Sequence, residues 1–263
     1  SVLLCIFLLS ACAPSEVPSN TLVERNGIKY EGISQMPFTG VSTEYYENGQ
    51  LKEKRTYKDG AQNGLGASYY ENGRLEKKWN WKDGKLHGLW EEYYENGELR
   101  DKTIWKDGKQ HGPSEWYRQN GQLRDKKIWK DGKEHGPAEN YHENGQLRSK
   151  VTYKDGEPYG PIDWYYETGQ LRSKVTYKDG GENGLTETYF DNGQLKEKRT
   201  YKDGELNGLT ETYLDNGQLS DKKTYKDGEL NGLRESYRIN GQEEYWYLEC
   251  YQNGKEVDIS KCK

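Results

Sequence analysis

The chain has 263 residues, of which 32% are charged and 31% hydrophobic, with 23 Tyr, 8 Trp and 31 Gly against 7 Pro. That aromatic content argues against disorder, and aromatic and Gly-rich composition with few aliphatics points to a thin β structure with many turns rather than a conventional enzyme core. No long apolar run follows Leu9, which excludes a polytopic membrane protein, and a net charge of -5 argues against nonspecific nucleic-acid binding through a basic field.

In chain order, Val2 to Leu9 is a short apolar run, too short to span a bilayer, and reads as the core of a signal peptide over residues 1–11. It leads into Leu9-Ser10-Ala11-Cys12, which resembles the bacterial lipobox. The resemblance implies lipidation at Cys12 and a membrane anchor through that lipid, since more than one acyl chain anchors stably. It also implies placement at the cell envelope, facing the periplasm or the surface, in the outer membrane if the cell has one. The chain opens at Ser1 without Met or a basic segment, so the translated start is expected further upstream. Residues 12–23 are a polar Pro/Ser tether.

An N-terminal cap is expected over 24–40, and repeats over 41–242. The Gly of an NGQL-like motif recurs from Gly49 to Gly241 in steps of 24, and the Gly of a KDG motif recurs from Gly60 to Gly228 in the same step. Asn-Gly and Asp-Gly are strong hairpin signals, because glycine takes positive φ at little cost. Between them lie two short segments with aromatic and β-branched residues. Each unit is therefore two antiparallel strands. The predicted fold is an all-β, elongated antiparallel meander solenoid of 24-residue repeats, a single twisted layer of roughly 17 strands. Tyr recurs from Tyr45 to Tyr237, Leu from Leu51 to Leu219, and a second aromatic from Tyr57 to Tyr225. These series are expected to stack as ladders and hold the sheet.

The turn at Asn-Gly sets the register. A two-residue turn places Glu91 opposite Lys102, Glu115 opposite Lys126, Glu139 opposite Lys150 and Glu187 opposite Lys198, all favourable cross-strand pairs. A three-residue turn places Tyr and Leu on one face but sets Glu91 against Asp101. The charge pairing favours the two-residue turn.

The pattern YYENGQLK followed by YKDGK.HG, together with Arg25 to Tyr30 and Pro37 to Gly40, resembles the bacterial MORN-variant repeat as found in the YwqK-type antitoxin family. That resemblance covers roughly residues 24–242. It implies direct, non-catalytic neutralisation of a toxin, here moved to the envelope as immunity.

His87, His111 and His135 stand one repeat apart. Equivalent positions two strands away are about 9.6 Å apart, too far to share one zinc ion. Asn63, Asn183, Asn207 and Asn231 occupy the same position elsewhere, so a turn residue bonding nearby backbone is expected. The Asp series from Asp59 to Asp227 reads as hairpin turns rather than calcium ligands. The Lys series from Lys54 to Lys222 is interleaved with acids and reads as a solvated, charge-paired face. No cofactor, metal site or catalytic constellation is expected. The departures from the template are Trp79, Trp90, Trp116 and Trp164, which share one face and are the candidate partner-binding residues. The last unit lengthens, since Gly241 to Gly254 is 13 residues where the equivalent spacing is 11. A C-terminal cap over 243–263 is expected, stapled by a disulfide between Cys250 and Cys262. The functional expectation is a lipid-anchored protein that binds a protein partner, a toxin being the first candidate. The alternative is an envelope scaffold that binds glycan or cell-wall material.

Overall fold

The computed structural model describes residues 15–237 and 245–262. The expected signal peptide, Cys12 and Gly241 lie outside the described residues. The chain divides into two units, one ending at Gln110 and the other starting at His111.

The first unit opens with the strand Glu16–Pro18, which pairs in parallel with Gly40–Tyr45. A small hairpin, Leu22–Arg25 and Ile28–Glu31, turns through Asn26 and Gly27, both at positive φ. Phe38 is buried beside Tyr57, their rings 5.9 Å apart. From Gly40 onward the strands form an antiparallel meander in sequence order: Gly40–Tyr45, Leu51–Lys58, Gly64–Tyr69, Leu75–Lys82, Gly88–Tyr93 and Leu99–Lys106. The second unit continues the same plan from its own hairpins to Glu229–Tyr237, Tyr245–Gln252 and Lys255–Val257. Helical structure among the described residues amounts to two short 3-10 turns, Ser19–Thr21 and Ile259–Cys262.

The two turn types differ in chemistry. At the KDG turn, Lys58 pairs with Ala61 across Asp59 (φ 50°) and Gly60 (φ 75°). Positive φ at both central residues is the type I′ hairpin, whose twist matches that of the strands it joins. At the other turn the two-residue expectation is corrected. The Tyr94 N–H donates to the Glu98 carbonyl, and the Gly97 N–H to the Tyr94 carbonyl, enclosing three residues. The Asn96 side chain accepts the Glu98 N–H at 3.0 Å. Tyr93 then pairs with Leu99, but Glu92 pairs with Asp101 and Glu91 with Lys102, which leaves Arg100 unpaired in a β-bulge. The bulge restores beyond the turn the register that a two-residue turn would give. Glu115–Lys126, Glu139–Lys150 and Glu187–Lys198 are paired in the same way.

The next hairpin repeats the trick in reverse sign. Lys126 also faces Glu139, Lys150 faces Asp163, and Lys174 faces Glu187. One face of the second unit therefore carries a continuous ladder of alternating charge, with Glu139 3.7 Å from Lys150 and 3.9 Å from Lys126. Exposed pairs of this kind contribute about 0–1 kcal/mol each, so the ladder fixes register more than it stabilises.

The other face holds the core. Directly opposed residues there compensate in volume: Gly66 with Trp79, Trp90 with Thr103, Ala138 with Val151, Ile162 with Val175. Ala138, Val151 and Ile162 form a buried cluster with Tyr153, Trp164 and Tyr177 packed on it. Equivalent residues stand 24 apart (Ala138 and Ile162, Tyr153 and Tyr177), so packing passes from each repeat to the next.

Both turns are also tied to the next repeat. The Gly84 N–H donates to the Gln62 carbonyl and the Gly108 N–H to the Leu86 carbonyl, and the same bond recurs at Gly204 and Gly228. At the opposite edge the Tyr46, Tyr70 and Tyr166 hydroxyls donate to the carbonyls of Tyr69, Tyr93 and Tyr189.

Candidate functional site

The positions the sequence singled out fall into three environments. The His series lies at the type I′ turns. His87 Nδ1 is 3.2 Å from the Asp107 carboxylate, and His111 Nδ1 is 3.3 Å from Asp131. Asn63, Asn183 and Asn207 donate to the equivalent Asp83, Asp203 and Asp227. These residues do more than bond local backbone: each caps the turn of the following repeat. No group of three or more metal-capable side chains occurs among the described residues.

Within each unit the tryptophans project to the core face, Trp79 and Trp90 in the first and Trp116 and Trp164 in the second, and their exposure differs. Trp79 is only 7% exposed and packs locally. Its ring stacks on Trp90 at 5.9 Å with 25° between planes, and Gly66 opposite leaves the room it fills. Trp90 is half-buried and, with Trp79 and Trp81, lines a groove of about 410 Å³ in the first unit. Trp116 is half-buried opposite Asp125.

Trp164 sits in a groove of about 860 Å³ within the second unit. The bulges position its rim. In each hairpin the unpaired bulge residue follows the recurrent Leu, and in the central repeats that residue is Arg124, Arg148 and Arg172. A bulge re-aims its side chain away from the regular alternation. All three arginines line the groove, as does Arg118, which donates to the Tyr141 carbonyl at 2.8 Å. Two carboxylates, Asp125 and Glu182, share the lining. The floor is Asn140, Ser149, Trp164 and Ser173, small or flat side chains that leave the volume open, with Asn140 donating to Ser149 at 2.9 Å.

Tyr141 at the edge of this groove has its hydroxyl pushed up to about 12, by burial and then by donating to the Glu139 carboxylate at 2.8 Å. Burial likewise raises Tyr165 and Tyr177. These are neutral donors at physiological pH. The groove thus offers guanidinium groups, phenols and an indole, which is binding chemistry. The arginine series escaped the sequence reading, which followed Lys. Its signal was present in the residue after each Leu of the QLR motif.

Near the C-terminus Cys250 and Cys262 are joined by a disulfide, their Cα atoms 5.8 Å apart. Cys250 is buried at 1% exposure.

Hairpins of one repeating plan, tied to their neighbours through turn hydrogen bonds within each unit, define a β-hairpin repeat protein. The chain belongs to the MORN repeat variant family, which matches residues 38–59, 62–83, 86–107, 110–131, 134–155, 160–179, 182–203 and 206–227. Repeats of this family generally bind proteins or membranes. No curated protein matches the chain. Solved structures with local similarity include a TcdB2–TccC3 crystal structure, 13% identical with a TM-score of 0.21 over 76% of this chain. Another is the Photorhabdus luminescens Tc holotoxin pore with a mutant TccC3, 13% identical with a TM-score of 0.21 over 88% of this chain. In each case the chain spans 14% of the other chain's length.

Proposed function

We propose that this protein is a non-catalytic binding protein, held at the cell envelope by a lipid on Cys12. It recognises a protein partner in the manner of a YwqK-type antitoxin or immunity component. The observation that supports this reading most is the groove around Trp164, where an indole, three tyrosines and four arginines line one concavity. Trp, Tyr and Arg are the residues that dominate protein–protein hot spots.

Trp164→Ala should weaken partner capture by about tenfold or more, the range of a hot-spot truncation, while the melting temperature of the other repeats holds. Unchanged capture would remove the groove from the binding surface. Anchoring is tested separately: metabolic labelling with an alkyne fatty acid should mark the protein and be lost in Cys12→Ser.

A glycan-binding scaffold is the second reading, favoured by the flat Trp164 ring beside the amide and hydroxyls of Asn140, Ser149 and Ser173. Retention on purified cell-wall sacculi, lost in Trp164→Ala, would select it.

A further inference from the structure

The arginines of the central bulges are not equivalent. Arg100 pairs with Glu92 and with the adjacent Asp101, the latter at 3.2 Å. Arg124 pairs with the adjacent Asp125. At Arg148 and Arg172 the adjacent residue is Ser149 and Ser173. The residue after the bulge arginine is Asp101 and Asp125 in the two preceding repeats, and Ser149 and Ser173 put a neutral side chain at that place. Among the described residues Arg148 has no ion-pair partner, and Arg172 has only the Tyr166 ring, 6.0 Å from its guanidinium carbon. Both line the groove around Trp164, and both are exposed.

We infer that Arg148 and Arg172 form an anion-recognition pair for an acidic segment of the protein partner, whose carboxylates replace the counter-ions these two repeats lack. This rests on the protein-partner reading above and specifies its chemistry. Guanidinium groups bind carboxylates bidentately, with charge-assisted hydrogen bonds about twice as strong as neutral ones. Equivalent positions in successive repeats are about 9.6 Å apart, and one three-residue turn of an extended polyproline II chain advances about 9.3 Å and returns to the same face. The fitting segment is therefore extended, with Asp or Glu at every third position, and an apolar side chain between them meets Trp164. The net charge of -5 disfavours long-range attraction to a polyanionic surface such as a membrane or nucleic acid. Short-range pairing inside one concavity does not suffer that penalty.

The test is fluorescence anisotropy of the full chain with a labelled synthetic peptide carrying Glu at every third position and one Leu, beside its Gln counterpart. Binding is expected for the Glu peptide, weakening with added salt. About tenfold loss or more is expected with the Gln peptide and with the Arg148→Gln, Arg172→Gln double variant. The Ser149→Asp, Ser173→Asp variant should lose binding equally, because it supplies each arginine with the adjacent carboxylate that Asp101 and Asp125 give Arg100 and Arg124. It also carries the test if the arginine variant melts early. Lys196→Gln, at the same bulge position outside the groove, should bind as wild type. No binding of the Glu peptide, equal binding of both peptides, or wild-type binding by both double variants would overturn the inference. So would arginine-dependent binding to phosphatidylserine vesicles in place of the peptide. A partner captured independently of both arginines would overturn it while leaving the protein-partner reading standing.

Discussion

Gly66 lies directly opposite Trp79, and a Cβ placed on Gly66 would sit 2.2 Å from the Trp79 indole nitrogen. The two residues are one packing unit, a missing side chain and an oversized one. Gly66→Ala should cost about 1–3 kcal/mol, the usual range for overpacking. Urea unfolding of the variant would show a lower midpoint. A change within about 0.5 kcal/mol, the scale of a neutral surface substitution, would mean that the indole has another place to go.

Alkaline pH should unfold the protein earlier than its acid side chains suggest. Tyr141 titrates at about 12, and Tyr93, Tyr189 and Tyr213 are raised in the same direction, first by burial and then by the carboxylates of Glu91, Glu187 and Glu211. An unfolded tyrosine titrates near 10. A raised folded value contributes stability that is complete below pH ~10 and is lost as pH climbs through about 12. Stability should be flat with respect to these groups up to about pH 9 and fall beyond 10. Tyr141→Phe should flatten part of that fall, and an unchanged alkaline limb would contradict the assignment.

Histidine and asparagine should be interchangeable at the capping position. His87 reaches Asp107 as Asn63 reaches Asp83. His87→Asn is expected within about 0.5 kcal/mol of wild type, whereas His87→Ala loses a side-chain cap, typically about 1 kcal/mol. Hydrogen exchange at the Asp107–Gly108 turn would report the difference. Equal exchange in all three proteins would deny the cap any role.

Reduction of the Cys250–Cys262 disulfide should loosen the end of the second unit before its earlier repeats. The bridge ties the strand Tyr245–Gln252 to the final turn Ile259–Cys262, and a closed loop of this size contributes about 3 kcal/mol. Because repeats couple mainly to neighbours, the loss stays local. Hydrogen exchange after reduction should rise first over the strands Glu229–Tyr237 and Tyr245–Gln252. Uniform protection after reduction would contradict this.

Much of the fold was legible because the 24-residue period, the Asp-Gly turns and the cross-strand Glu–Lys pairs all point to one register. The three-residue turn was not, since its bulge returns the strand to the alignment a two-residue turn would produce. Charge pairing cannot tell the two apart. That Trp79 and Trp90 share a face of the first unit, and Trp116 and Trp164 a face of the second, was legible from alternation. The burial of Trp79 was not, because it depends on Gly66, thirteen residues earlier and on the facing strand. Lysine drew attention by number. The arginines needed the bulge, which lifts them out of the alternation that sequence reading relies on, and needed Ser149 and Ser173 to be seen as absent carboxylates.

The most direct test of the account is affinity capture with wild type and with the Trp164→Ala and Arg148→Gln, Arg172→Gln variants, on native envelope and secreted fractions, read by mass spectrometry. The account predicts one dominant, stoichiometric protein partner on wild type that is lost from both variants. Bait retained on cell-wall material with no protein partner, or a partner held equally by all three, would contradict it.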